Sequence, residues 1–441
     1  MTISLPRLVI LGTGFGAFNL IKHLRKDYTV TVVSPRNHFL FTPLLPSTTV
    51  GTLEFRSIIE PIRHARKDVD FYHATATDLD LQQQTVSCQG SMDGHPFTVG
   101  YDILVIAVGA VSNTFNVPGV AEHALFLKEL NDARLLRQRS VTNFERANLP
   151  GVSPEERQRL LQFVICGGGP TGVEFAAELH DFMLEDLSGP YPQLVDEARI
   201  CLVEAGKEIL STFDRKLRGY ATDLFRRKRI IILTESPVIR VDEQTVSLED
   251  GSKLPFGLLT WSTGIGPTSF ARNVNLHKDS RSRFVIDRYF RVKGYENIYA
   301  LGDCSVIENG ELPATSQVAQ QQGKYLAGVL TQRARGRHVQ SFQYHHLGML
   351  AYIGGNRALA DLKSFKGRGW STWLFWRSAY LSRIVSLKKQ NSRAVRLDEN
   401  ACVWKGHQPV LIHSATFCRA IPLVDGVGHS FTPNASIAKP S

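Results

Sequence analysis

The chain has 441 residues, 43% of them hydrophobic and 21% charged, with only 20 Pro. That is globular usage, which excludes disordered and collagen-like classes, and the length predicts about three domain-sized units. No stretch offers the ~18 uninterrupted apolar residues of a membrane-spanning helix, and the formal charge of +10 is concentrated: positions 362–397 hold nine Lys/Arg and no Asp or Glu.

In chain order the opening reads strand, glycine-rich turn, helix, strand: Arg7 to Leu11, then Gly12-Thr-Gly14-Phe-Gly16-Ala17, a helix to about Arg25, and a strand from Thr29 to Val33. The same order returns at Phe163 to Cys166, Gly167-Gly-Gly169-Pro-Thr-Gly172, a helix through Met183 and a strand from Arg199 to Val203. Two more strands end in glycine, at Val108-Gly109 and Thr263-Gly264, and a third ends in Leu301-Gly302-Asp303. A helix is expected from about Ser316 to Leu330. After Phe342 this grammar stops, and Trp370, Trp373, Trp376 and Tyr380 stand among basic residues. The six cysteines are scattered without a C-x-x-C, which fits a reducing compartment, and no metal-ligand spacing occurs. Few residues precede the first strand, so no signal or transit peptide is evident.

Glycines between a strand and a helix permit a tight turn and let backbone N–H groups approach a pyrophosphate at the helix's positive end. Two such turns, 155 residues apart, imply two nucleotide sites. A carboxylate at the end of the second strand accepts from ribose hydroxyls, and Glu204 stands there in the second copy, favouring NADH by repelling a 2′-phosphate. Its distance from Gly167 requires an inserted loop between Asp186 and Asp196. The first copy has Ser34 in that place, followed by Pro35-Arg36-Asn37. Two nucleotides without a metal or a Ser/His/Asp set point to electron transfer between FAD in the first site and NADH in the second. Asp303 suits the flavin's ribityl hydroxyls, or else a helix cap.

Longer motifs carry a resemblance. Val33-Ser-Pro-Arg-Asn-His-Phe-Leu-Phe-Thr-Pro-Leu-Leu-Pro46, Gly167-Gly-Gly-Pro-Thr-Gly-Val-Glu-Phe-Ala176 and Ser316-Gln-Val-Ala-Gln-Gln-Gln-Gly323 strongly resemble the type II, or alternative, NADH:quinone oxidoreductases, particularly their mitochondrial branch, from about Leu8 to about Leu387. The resemblance implies an α/β pyridine-nucleotide flavoprotein fold of two Rossmann-like domains with a C-terminal membrane-associating segment. It implies one non-covalent FAD, NADH bound over its ring, and rotenone-insensitive, non-proton-pumping reduction of a membrane quinone. Gly12, Gly14, Ala17, Ser34, Arg36, Gly109 and Asp303 would bind FAD; Gly167, Gly169, Gly172, Glu204 and Gly264 would bind NADH. Glu174 would sit near the nicotinamide and flavin, and Gln317 and Gln321 would line the quinone pocket.

The expected domains are 1–125 with 280–340 for FAD, 126–279 for NADH, 341–400 for the membrane surface, and a tail, 401–441, of uncertain order. Gln317 and Gln321 are one helical turn apart, offering neutral amides on one face; a polar face in solvent is the alternative for a Gln-rich stretch. Glu174 either stabilises the helix dipole or, buried, passes protons. Apolar residues 370, 373, 374, 380, 381 and 384 form a stripe flanked by Arg and Lys, read as an interfacial helix on anionic lipid from Trp370 to Leu397, against the alternative of a helix packed on the core. A peripheral membrane location follows: the mitochondrial inner membrane in a eukaryote, or the cytoplasmic face of the plasma membrane in a bacterium. Nucleic acid is not an expected partner, and a homodimer stays open. The rival readings, sulfide:quinone-like or apoptosis-inducing-factor-like NADH oxidoreductases, need paired redox cysteines or a spread basic groove. Three departures from the family stand out: Ser316 where Ala is usual, no calcium-binding loop, and no closing amphipathic helix after Asn400.

Overall fold

The computed structural model describes residues 5–389; the tail 401–441 and the end of the basic segment, to Leu397, lie outside the described residues. The first sheet runs, in spatial order, Ile298–Ala300, Ile103–Ile106, Arg7–Leu11, Thr29–Ser34, Val69–Asp80, Thr85–Gly90 and Pro96–Gly100. Its first five strands are parallel and the last two pair antiparallel. Leu8 to Leu11 and Ile103 to Ile106 are all buried, as befits strands covered on both faces. The second sheet is all parallel, in the order Leu125–Phe126, Leu258–Trp261, Gln162–Cys166, Arg199–Val203 and Ile231–Leu233. The α/β fold of two related Rossmann-like halves therefore forms as the glycine turns predicted.

Each half sends its third central strand through a left-handed glycine, Gly109 (φ +65°) and Gly264 (φ +68°). The chains that leave them pair antiparallel as a ribbon, Ala110–Ser112 with Ile265–Pro267, which joins the halves. The extra length before Glu204 is filled by the helix Pro170–Phe182, a wide turn at Met183–Leu187 and the short helix Pro192–Glu197.

Beyond the second half the chain makes a three-stranded antiparallel sheet, Met349–Tyr352, Ala358–Asp361 and Lys366–Gly369, followed by the helix Trp370–Lys389. That helix corrects the expected stripe. Trp376, outside the stripe, is its most buried side chain, 1% exposed and stacked on Tyr352 with ring centres 5.4 Å apart. Trp373, Tyr380 and Leu381 also pack on the core, with Tyr380 edge-on to Phe41. Trp370, Leu374 and Phe375 face outward. Apolar residues surround this helix, so one face meets the core while another stays bare. No helix among the described residues is long and apolar enough to cross a membrane.

Candidate active site

The two glycine turns are built alike. Gly12 N–H donates to Val33 and Gly167 N–H to Val203, both at 2.8 Å, so each turn is tied to the end of its second strand. Gly12 (φ +109°) and Gly167 (φ +116°) have conformations and neighbours that exclude a side chain: a Cβ on Gly12 would lie 2.3 Å from the Ala107 carbonyl oxygen. Around Gly14, Gly169 and Gly109, in contrast, a Cβ would meet nothing within 4 Å. Gly14 and Gly169 therefore leave room for a pyrophosphate at the start of each helix, while the Gly109 amide is turned to the Cys304 thiol. Ala17 and Gly172, three residues further on, are buried packing positions, and Gly172 allows the helix to close on the Gly167 carbonyl.

In the first half Ser34 is buried, its hydroxyl 3.1 Å from that of Thr13 and accepting from the Arg36 amide at 3.2 Å. It holds the strand end in shape instead of offering a free ribose partner. Arg36 pairs with Glu129 at 2.9 Å, while its Nε and the Nε2 of His38 are buried without a hydrogen-bond partner. Burial, with Arg36, Arg134 and His73 nearby, lowers the His38 pKa to about 4, so its imidazole is neutral. These orphaned donor and acceptor groups fit an adenosine moiety. Asp303, on the turn Gly302–Cys304, makes no hydrogen bond with any described residue; burial raises its pKa, opposed by Lys128, whose own pKa burial lowers. A half-buried carboxylate facing only a cation has lone pairs to give to ribityl hydroxyls. Lys128 was not visible in the sequence, because nothing local sets it apart from any lysine preceding a helix.

In the second half the Glu204 carboxylate bridges the turn, accepting from Gly168 N–H and Gly206 N–H, each at 2.6 Å. It stands at the mouth of the glycine cradle at the end of the Arg199–Val203 strand. Glu174 is buried, accepts from the Tyr352 amide at 3.0 Å, and is pushed by burial up to about 8.

Gln317 and Gln321 are only partly exposed, and both are engaged. Gln317 donates to the Gly348 carbonyl at 2.5 Å and accepts from Leu347 N–H at 3.2 Å; Gln321 donates to and accepts from His345, at 2.8 and 3.0 Å. Each amide clasps the segment 345–348 and keeps one N–H and one lone pair in reserve. Gln322, on another face, is buried and accepts from Gly302 N–H at 2.8 Å, fixing the turn that carries Asp303. The helix Ser316–Arg333 thus begins beside that turn, and Gly323 meets Gly16 so closely that a Cβ would lie 2.1 Å from the Gly16 oxygen.

Among the described residues no group of three His, Cys, Asp or Glu is placed to hold a metal. Cys88, Cys166, Cys201 and Cys304 are buried and unpaired, with burial raising every thiol pKa.

Residues 6–323 match the family model of the pyridine nucleotide-disulphide oxidoreductases, and residues 346–397 that of the NDH2 C-terminal domain. A probable NADH dehydrogenase of Dictyostelium discoideum is 45% identical, with 88% of each chain covered. The internal alternative NAD(P)H-ubiquinone oxidoreductase A1 of Solanum tuberosum is 41% identical (87% of this chain, 84% of that one), and the external NADH-ubiquinone oxidoreductase 2 of Saccharomyces cerevisiae 40% (87% and 78%). The solved structure of NDH2 from Plasmodium falciparum in complex with NADH superposes with a TM-score of 0.83 at 28% identity, covering 87% of this chain and 96% of that one. With its paired glycine cradles, the ribbon between them and the appended sheet and helix, the chain belongs to the type II, or alternative, NADH:quinone oxidoreductases of the mitochondrial branch.

Proposed function

We propose that the chain takes a hydride from NADH in its second half and passes two electrons, by way of a non-covalent FAD in its first half, to a membrane quinone, without pumping protons. The observation that carries this is the pair of alike glycine turns, with open space beside Gly14 and Gly169, in two halves whose strands Ile103–Ile106 and Leu258–Trp261 each continue through a left-handed glycine into one shared ribbon. When bound, FAD supplies a ring that accepts two electrons from NADH and yields them to quinone. The turn at Gly14, with Arg36 and His38, holds its adenosine diphosphate portion, Gly109 leaves room beside it, and Asp303 holds its ribityl chain. Glu204 receives the ribose of NADH in place of its backbone partners and disfavours a 2′-phosphate. Gln317 and Gln321 offer their reserve hydrogen bonds to the quinone.

The appended helix supplies the place where quinone is found. Trp370, Leu374 and Phe375 enter the headgroup region of an anionic membrane, with Arg368 and Arg377 close in sequence. The site of action is a membrane surface, the inner membrane if the chain works in mitochondria, and the word mitochondrial in the names of the plant and yeast relatives supports that organelle. A disulfide- or sulfide-linked reaction is disfavoured by the buried, unpaired cysteines among the described residues.

The test is oxidation of NADH by the purified protein with and without a short-chain quinone, after reading its flavin absorbance. Bound flavin and quinone-dependent oxidation are expected. A flavin-loaded protein that oxidises NADH at one rate regardless of quinone refutes the assignment.

A further inference from the structure

The helix Pro170–Phe182 carries three acids on one buried face. Glu174, Glu178 and Asp181 stand at i, i+4 and i+7 and are 8%, 3% and 9% exposed. They are not equivalent. Asp181 is neutralised: Lys228 Nζ donates to it at 2.7 Å, the Tyr352 hydroxyl and the Gly355 amide each at 2.8 Å, and His180 lies at 3.4 Å. Glu178 has no cation within ion-pair distance among the described residues. Its two oxygens accept from hydroxyls, Ser47 at 2.6 Å and Thr52 at 2.9 Å, and Thr52 is only half-buried.

The other titratable groups around it do not change this. Asp181 and Glu185 on its own side are acids, and Lys228 is spent on Asp181. Tyr352, from the C-terminal sheet, gives its amide to Glu174 and its hydroxyl to Asp181. Arg137, from the helix Leu130–Ala147, lies against Gly51 and makes no ion pair with Glu178. An ionised carboxylate here loses hydration worth several kcal/mol without a counter-charge. A neutral one fits the same cradle, because hydroxyls accept as readily as they donate.

We propose that Glu178, with Ser47 and Thr52, is a proton inlet that takes up a proton from solvent at Thr52 and hands it along the helix face to Glu174. This rests on the NADH:quinone reading above. In that reaction NADH, one proton and quinone become NAD+ and quinol; the hydride carries two electrons and one proton, so one further proton is drawn from solvent in each turnover. Along the inlet one O–H bond breaks as the next forms, from Thr52 to Glu178 to Glu174, and no electrons move. Burial pushes Glu178 up to about 7 and Glu174 to about 8, so both exchange protons near neutrality. Glu178 acts through Glu174 and is a positioning and relay group.

The test uses the flavin-loaded full chain and its Glu178→Gln variant. Infrared titration of the resting protein should show the carbonyl stretch of a protonated carboxylic acid that is lost near neutral pH and missing from Glu178→Gln. Turnover with a short-chain quinone should fall on the order of 10²-fold in the variant, the low end for a positioned proton-transfer group, with KM little changed and the parent's pH dependence flattened. Thr52→Val should slow turnover in the same direction and Thr52→Ser should restore it, an arm that holds even if Glu178→Gln does not fold. The inlet is overturned if the variants keep the parent's pH profile and solvent isotope effect, or if Glu178→Gln removes no infrared component. A parent inactive with quinone would sink the functional reading, while the infrared titration still decides whether Glu178 holds the proton.

Discussion

Replacing Trp370, Leu374 and Phe375 together with Ala tests whether the outer face of the last helix meets lipid. These side chains are 61%, 40% and 46% exposed, so what they could still bury on a membrane amounts to roughly one and a half whole side chains. At about 1.5–3 kcal/mol for full burial of a large apolar side chain, the variant loses about 2–4 kcal/mol of membrane affinity, a partition coefficient lower by about 30- to 1,000-fold. Flotation with anionic and neutral vesicles measures this, and a thermal melt of the same samples sets apart the stability lost from the covered half of these side chains. Trp376→Ala is the counterpart: it empties the space beside Tyr352 and should cost about 3–5 kcal/mol of stability. Because Trp376 is structural, removing the whole segment from Trp370 would confuse the two effects. A triple variant that floats like the parent refutes the lipid role of this face.

Glu204→Gln should narrow the ratio of NADH to NADPH turnover, since a neutral amide does not repel a 2′-phosphate; equal ratios in variant and parent would move the ribose elsewhere. Asp303→Ala should lower the flavin-to-protein absorbance ratio of the purified protein, leaving Lys128 without its facing carboxylate. Gly323→Ala should destabilise by about 1–3 kcal/mol or more in denaturant titration, because the new methyl meets backbone at Gly16 and neither helix can yield by a rotamer change. Glu174→Gln should change the pH dependence of stability with a defined sign. The folded state holds the Glu174 proton up to about 8 while the unfolded chain releases it near 4.5, so the parent loses stability as pH rises through that window. The variant's melting temperature should fall less over the same range.

Both nucleotide halves were legible because glycine chemistry is local. A left-handed turn against a carbonyl admits only Gly12 or Gly167, and the strands on either side are apolar throughout. Glu204 was legible for the same reason, as a carboxylate closing a strand. What partners a side chain finds from a distant part of the chain was not legible. Ser34 reads as a ribose ligand until Thr13 and Arg36 are seen to share its hydroxyl. Gln317 and Gln321 read as free amides until residues 345–348 fold back on them. The sheet Met349–Gly369 left no period to find, since its strands span four residues each and the last holds two glycines. The stripe on the last helix misled because a helix apolar on two faces has no single phase, and sidedness came from what packs on it. Glu178 was the missed opportunity: its spacing from Glu174 alone places both acids on one face.

The appended sheet and helix also act as a strap. Tyr352 and Lys366 bond to Asp181 and Asp214 of the nicotinamide half, while Gly348 and His345 are gripped by Gln317 and Gln321, and Tyr380 rests on Phe41, all of the flavin half. Loosening either half therefore strips contacts from the strap that the other half needs, so the three pieces are expected to melt as one cooperative unit, with a single transition in a thermal melt as the check.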